Sequence, residues 1–189
     1  STYNALPLGY GLYITAIASY GSNLVLAVFE GGATVGSNSR GKAKLIFWDT
    51  TSANYNTILF DEFPDTIITA LKNINGVLYI ASGNHVFPSG TGATPGFRIS
   101  RYVGGYTIKE IGYFAHGYPP YPGGLEGGAD RLLVGSSFDF LYNSGAVYSL
   151  GLQSSALGQG LFGIMQPRDG IGVVTALCMS TDSDFVKNQ

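Results

Sequence analysis

The chain has 189 residues with 10 basic and 12 acidic side chains, a formal net charge of −2, and charged residues make up only 12% of it. No basic tract or Arg/Lys cluster supplies a nucleic-acid footprint, and no apolar run reaches the roughly 18–20 residues that span a membrane, so neither nucleic acid nor membrane insertion is expected. Glycine (28), tyrosine (13) and phenylalanine (11) are abundant, which favours short strands joined by tight turns and excludes disorder.

Ser1-Thr2-Tyr3-Asn4 has neither a charged nor an apolar leader segment, so no signal peptide is read there. The absence of an initiator Met fits a processed chain, one cleaved from a tag, or a piece of a longer polypeptide; an end at the turn Ser180–Asp184, just after a first strand, makes the last the expectation. Cys178 is the only cysteine, so an internal disulfide and a multi-cysteine metal site are both excluded. In Ala176-Leu177-Cys178-Met179 it reads as a small buried hydrophobe.

After an extended lead-in with Pro7 and Gly9, Tyr13 to Ser19 reads as a strand, Tyr20-Gly21-Ser22-Asn23 as a turn, and Leu24 to Glu30 as a second strand. The second is apolar at nearly every position, as expected of a strand covered on both faces. A Gly/Ser-rich loop over Gly31–Gly41 leads to a third strand, Lys44–Asp49, and a fourth over Asn56–Phe63. The next unit repeats the order. Ile67–Leu71 and Val77–Ala81 flank Asn75-Gly76, and Asn-Gly between two apolar runs is the strongest short hairpin signal. A second long loop over Gly83–Gly96 precedes strands at Phe97–Val103, which alternates with period two, and Tyr106–Phe114. In the third unit the first strand is blurred into Gly123–Gly128. Arg131–Gly135, Gly145–Leu150 and a strand within Leu161–Met165 follow. A fourth unit opens at Val173–Met179.

The phrase Thr15-Ala16-Ile17 returns as Thr69-Ala70-Leu71 and Thr175-Ala176-Leu177. The spacings are 69 − 15 = 54 and 175 − 69 = 106, or two steps of 53; Lys44 to Phe97 is 53 and Phe97 to Ala146 is 49. The chain therefore divides into repeats at about 13–65, 66–118, 119–172 and an incomplete 173–189, within a single all-β region over 1–189. A repeat of roughly 50 residues with four strands fits the β-propeller blade, a twisted meander that stacks on its neighbours to bury both faces. The alternative is a β-sandwich of short strands, which carries turn signals without a long-range repeat. About three and a half blades leave a ring open, so the polypeptide continues or two copies combine their blades. The first is the preferred expectation.

Phe47-Trp48-Asp49 ends a third strand and Ile74-Asn75-Gly76-Val77-Leu78-Tyr79-Ile80 opens a second. On these residues the chain, over about 13–150, resembles the degenerate propeller blades of large structural proteins of tailed bacteriophages. The Gly-His signature of Trp-Asp repeats and the recurrent Gly-Gly of kelch repeats are absent. The resemblance implies a virion-associated or host-surface role, without enzyme chemistry. Outside a virus, an extracellular place is the expectation. The implied partners are other protein subunits of an assembly, with surface glycans as the alternative of a carbohydrate-binding propeller.

His116-Gly117-Tyr118-Pro119-Pro120-Tyr121-Pro122 is the main candidate contact surface, because tyrosines held between prolines make a rigid apolar platform for a sugar ring or another chain. Tyr118, Tyr121 and His116 are its candidate binding residues; the plainer reading is an inter-blade connection whose rings cover the core. His85 and His116 have no second His, Cys or Glu at ligand spacing, so no metal or cofactor is expected. Asp49, Asp61, Glu62 and Asp65 read as turn caps and edge charges rather than a hydrolytic pair. Asp182-Ser183-Asp184 lacks the Gly and distal Glu of a calcium loop. The Gly31-Gly32 and Gly90/Gly92 stretches lack the Lys and helix of a phosphate loop.

Overall fold

Asn75 and Gly76 both have positive φ, 51° and 81°. That is the backbone a tight hairpin between right-twisted strands requires, and the Asn73 side-chain oxygen accepts the Gly76 N–H at 3.1 Å. The turn joins β5 (Ile67–Ile74) to β6 (Val77–Gly83), with Ile74 opposite Val77. The expected strand Ile67–Leu71 thus runs three residues further, up to the turn itself. At the corresponding place in the first unit, Gly21 has φ 59° and Ser22 does not turn positive. Glycine at the first central position alone suits the second kind of two-residue hairpin turn. It joins β1 (Leu12–Tyr20) to β2 (Asn23–Glu30).

The computed structural model describes residues 12–30, 42–50, 55–59, 67–83, 96–128, 130–139, 144–152 and 161–165, together with Val174 and Leu177. The remaining strands are β3 (Lys42–Trp48), β4 (Tyr55–Leu59), β7 (Phe97–Gly104), β8 (Thr107–Phe114), β9 (Leu125–Gly127), β10 (Arg131–Asp139), β11 (Ser144–Gly151) and β12 (Leu161–Met165). No helix occurs among the described residues. The chain is all-β, in three four-stranded antiparallel meanders ordered β1-β2-β3-β4, β5-β6-β7-β8 and β9-β10-β11-β12. The blurred first strand of the third unit is the short β9. β10 runs four residues past the expected Gly135. Residues 60–63 of the expected fourth strand lie outside the described residues.

Ladder register refines the repeat. Phe29 pairs with Ala43 and Gly83 with Phe97, so Ala43, not Lys44, is the counterpart of Phe97, at 97 − 43 = 54. The inner hairpins agree, because the pairing slips at Thr15 in β1 and at Thr69 in β5, and 69 − 15 = 54. Both threonines are the extra residue of a β-bulge, at the same place in the first strands of the first and second sheets. In the third unit Ser136 pairs with Ala146 as Ser82 pairs with Arg98, so the step there shortens to 146 − 98 = 48. A shorter β10–β11 connection accounts for it.

Alternation along the strands sends each sheet's side chains to two sides, and the middle sheet packs on both. Ile68, Leu71, Leu78 and Ile80 join Ala16, Val25, Ala27, Ala43, Leu45 and Phe47 of the first sheet in one core. Ala70, Tyr79, Ala81, Phe97, Ile99 and Phe114 join Leu125, Leu132, Val134, Ala146, Tyr148 and Leu150 of the third in another. The first strands lie side by side, β1 against β5 and β5 against β9. Between them, Asn73 Nδ2 donates to Ser19 O at 2.9 Å and Lys72 Nζ to Glu126 Oε2 at 2.8 Å, each across 54 residues of chain. The Leu177 N–H donates to Gly123 O at 2.7 Å, tying the fourth phrase to the third sheet. The sequence repeat is the stacking repeat.

Candidate functional site

The aromatic and proline segment singled out above is the crossing from the second sheet to the third. It leaves β8 after Phe114, and Gly117 forms an antiparallel bridge with Asp139. The Gly96 N–H donates to Gly117 O at 3.0 Å and the Tyr118 N–H to Phe138 O at 2.7 Å. The Ser136 hydroxyl lies 3.1 Å from Tyr118 O and 2.7 Å from Phe138 O, and donates to one or the other. Pro120 is fully buried. Pro119 packs against Gly83, where a Cβ would come within 2.9 Å of its ring. The segment ends in a four-residue turn closed by the Gly124 N–H on Tyr121 O at 2.7 Å. Pro122 stands at its second position, whose backbone angle the pyrrolidine ring pre-sets.

Side chains on this anchored backbone divide by face. His116 and Tyr121 are exposed, while Tyr118 is half-buried. Below them is a layer of rings: Phe97 and Phe114 stack at 4.6 Å and 12°, and Phe114 meets Tyr148 at 4.8 Å. Gly117 closes the layer, because a Cβ there would fall 2.9 Å from Phe97 Cε1 and 3.2 Å from the Tyr148 hydroxyl. That hydroxyl donates to the Asp139 carboxylate, which is almost completely buried. The platform is therefore a fixed surface, with one imidazole and one phenol ring available above a packed base.

Further out on the second sheet, the Arg98 guanidinium sits 4.7 Å over the Tyr113 ring and pairs with Glu110 at 3.0 Å. Lys72 and Glu126 form the ion pair between the second and third sheets. Burial pushes the Glu126 carboxyl up. The hydrogen bonds from Lys72 and from the Gly127 N–H, with the Lys72 charge, outweigh it and hold the group below the usual carboxylate range.

Of the acidic residues weighed in the sequence, Asp49 is exposed at the end of β3. Asp61, Glu62, Asp65, His85, Cys178, Asp182-Ser183-Asp184 and the Gly31-Gly32 and Gly90/Gly92 stretches lie outside the described residues. No group of three metal-ligating side chains occurs among the described residues. The buried Asp139–Tyr148 pair was not anticipated, because its signal is a lone Asp between Phe138 and Phe140, past the point where the strand was expected to end. No family model, curated protein or solved structure matches the chain.

Proposed function

We propose that this chain is a non-enzymatic structural and interaction module built of β-propeller blades, serving as a component of a tailed-phage particle that presents connecting loops to neighbouring subunits or a receptor. The observation that carries the reading is the coincidence of the 54-residue sequence step with the step from sheet to sheet. A β-sandwich has no reason to place equivalent residues of successive sheets in contact, whereas blades around an axis do. The virion setting is supported by the resemblance of Phe47-Trp48-Asp49 and Ile74–Ile80 to phage blades. A fixed wall of sheets carrying an anchored aromatic connection suits display. Its chemistry is recognition through the exposed faces of Tyr121 and His116.

Electron microscopy of the purified protein tests the architecture: the expected image is wedge-shaped segments around an axis lined by β1, β5 and β9, and parallel slabs with no common axis would overturn it. The exposed ring of Tyr121 favours carbohydrate binding as a second reading. Glycan binding lost in Tyr121→Ala would replace the subunit-contact reading with that one.

A further inference from the structure

Ladder register lines up four side chains across the second sheet. Lys72 pairs with Tyr79, Tyr79 with Arg101, and Arg101 with Lys109, one residue from each strand in turn. Residues directly opposite share a face. Tyr79 fixes which one, because it is buried in the core that the second sheet shares with the third. Ile99 and Phe97, which precede Arg101 on the same side of β7, belong to that core as well. Every other member of the row is a cation, in a chain whose formal net charge is −2.

The cations are not treated alike. Lys72 meets a carboxylate from the third sheet, Glu126, at 2.8 Å. On the opposite face of β7, Arg98 has Glu110 at 3.0 Å. Arg101 and Lys109 make no ion pair among the described residues. They stand directly opposite each other, with Cβ atoms about 5 Å apart, where like charges repel. Arg101 is half-buried, and its Nε is buried without a hydrogen-bond partner, while Lys109 is exposed. The guanidinium also acts on the neighbouring phenol: burial raises the Tyr79 pKa, and the Arg101 charge works against that rise. A guanidinium set at the margin of a core and an ammonium directly across from it lack a shared counter-charge.

We propose that Arg101 and Lys109 form a binding site for a tetrahedral oxyanion, phosphate or sulfate, on the β7–β8 side of this face. A doubly charged anion matches two cations. Its oxygens diverge, so it can take the guanidinium fork on one side and the ammonium on the other, whereas a carboxylate offers two oxygens in one plane. Arginine supplies directed hydrogen bonds and lysine a point charge. The site stands on ladder register and does not depend on whether the sheets are blades.

Calorimetric titration of the full chain with sodium phosphate and with sodium sulfate, at an ionic strength held constant with sodium chloride, tests the site. Saturable binding of a single anion per chain is expected. Lys109→Gln should weaken it about tenfold or more, as expected for losing a charge-assisted hydrogen bond. Arg101→Met, which keeps an unbranched apolar stem, should abolish it. Arg98→Gln removes an arginine already paired on the opposite face and should leave binding unchanged. Circular dichroism verifies the fold of each variant; if Arg101→Met does not fold, Lys109→Gln, made at an exposed side chain, decides alone. Absence of saturable binding would overturn the site. So would binding that survives the substitutions at Arg101 and Lys109, or that falls equally in Arg98→Gln, since it would then be general surface charge. Acetate bound as tightly as phosphate would overturn the tetrahedral oxyanion as its ligand.

Discussion

Thr15 and Thr69 occupy the same bulge in successive sheets and differ in one bond. Thr15 Oγ1 donates to Ala27 O at 3.2 Å, whereas Thr69 Oγ1 is buried without a hydrogen-bond partner. Replacing each by valine, which keeps the shape and deletes the hydroxyl, should separate the two effects. Thr15→Val should lose about 1 kcal/mol, and Thr69→Val should be neutral or gain up to about 1 kcal/mol, because an unpaired buried hydroxyl costs what a made bond contributes. Urea unfolding of the two variants checks the sign. Tyr148→Phe deletes the donor to the buried Asp139 carboxylate and should cost about 1–3 kcal/mol in the same assay. The Glu126 carboxyl gives a pH signature. Its value is lower folded than unfolded, so it adds stability above the unfolded value of about 4.3, and this is lost as pH falls through the folded one. Comparing urea midpoints at pH 7 and pH 3, Lys72→Met should show a shallower loss than the parent. The difference should stay under about 1 kcal/mol and shrink in salt, because Lys72 is partly exposed.

At the scale of elements, the hairpin at Asn75-Gly76 was legible because its signal is local: two residues tolerant of positive φ between apolar runs. The three strands expected around Val77, Phe97 and Tyr106 follow for the same reason. β9 was not legible, since Leu125-Glu126-Gly127 is three residues among glycines, and only pairing with Val134, Leu133 and Leu132 makes it a strand. The true register of β3 was hidden too. Lys44 and Ala43 read equally well as the repeat marker until the ladder pairs Phe29 with Ala43. The aromatic connection was found from composition, but its base was not. Asp139 approaches Gly117 across 22 residues of chain (139 − 117), a contact that no local pattern announces.

For the molecule as a whole, the middle sheet belongs to both cores, which makes a prediction about cooperativity. Leu45→Ala empties a site between the first and second sheets, and Phe97→Ala one between the second and third. Each should cost about 2–5 kcal/mol. Because the second sheet cannot lose one face without weakening the other, both variants should shift a single unfolding transition. Fluorescence of Trp48, the sole tryptophan and packed at the outer face of the first sheet, should then coincide with far-ultraviolet circular dichroism. Separated midpoints would show the sheets to be independent units.

By itself the sequence determined the strand class, the tight turns and a repeat near 53 residues. These are encoded in residue type and short spacing: glycine and asparagine where φ turns positive, and apolar runs where both faces are covered. Tertiary structure alone decided that Ala43 is the counterpart of Phe97, that Thr15 and Thr69 are bulges, and that Ile68 is buried where Ile14 is exposed. The reason is physical. An isoleucine has the same intrinsic preference at both places, and whether it leaves water depends on which sheet stands in front of it.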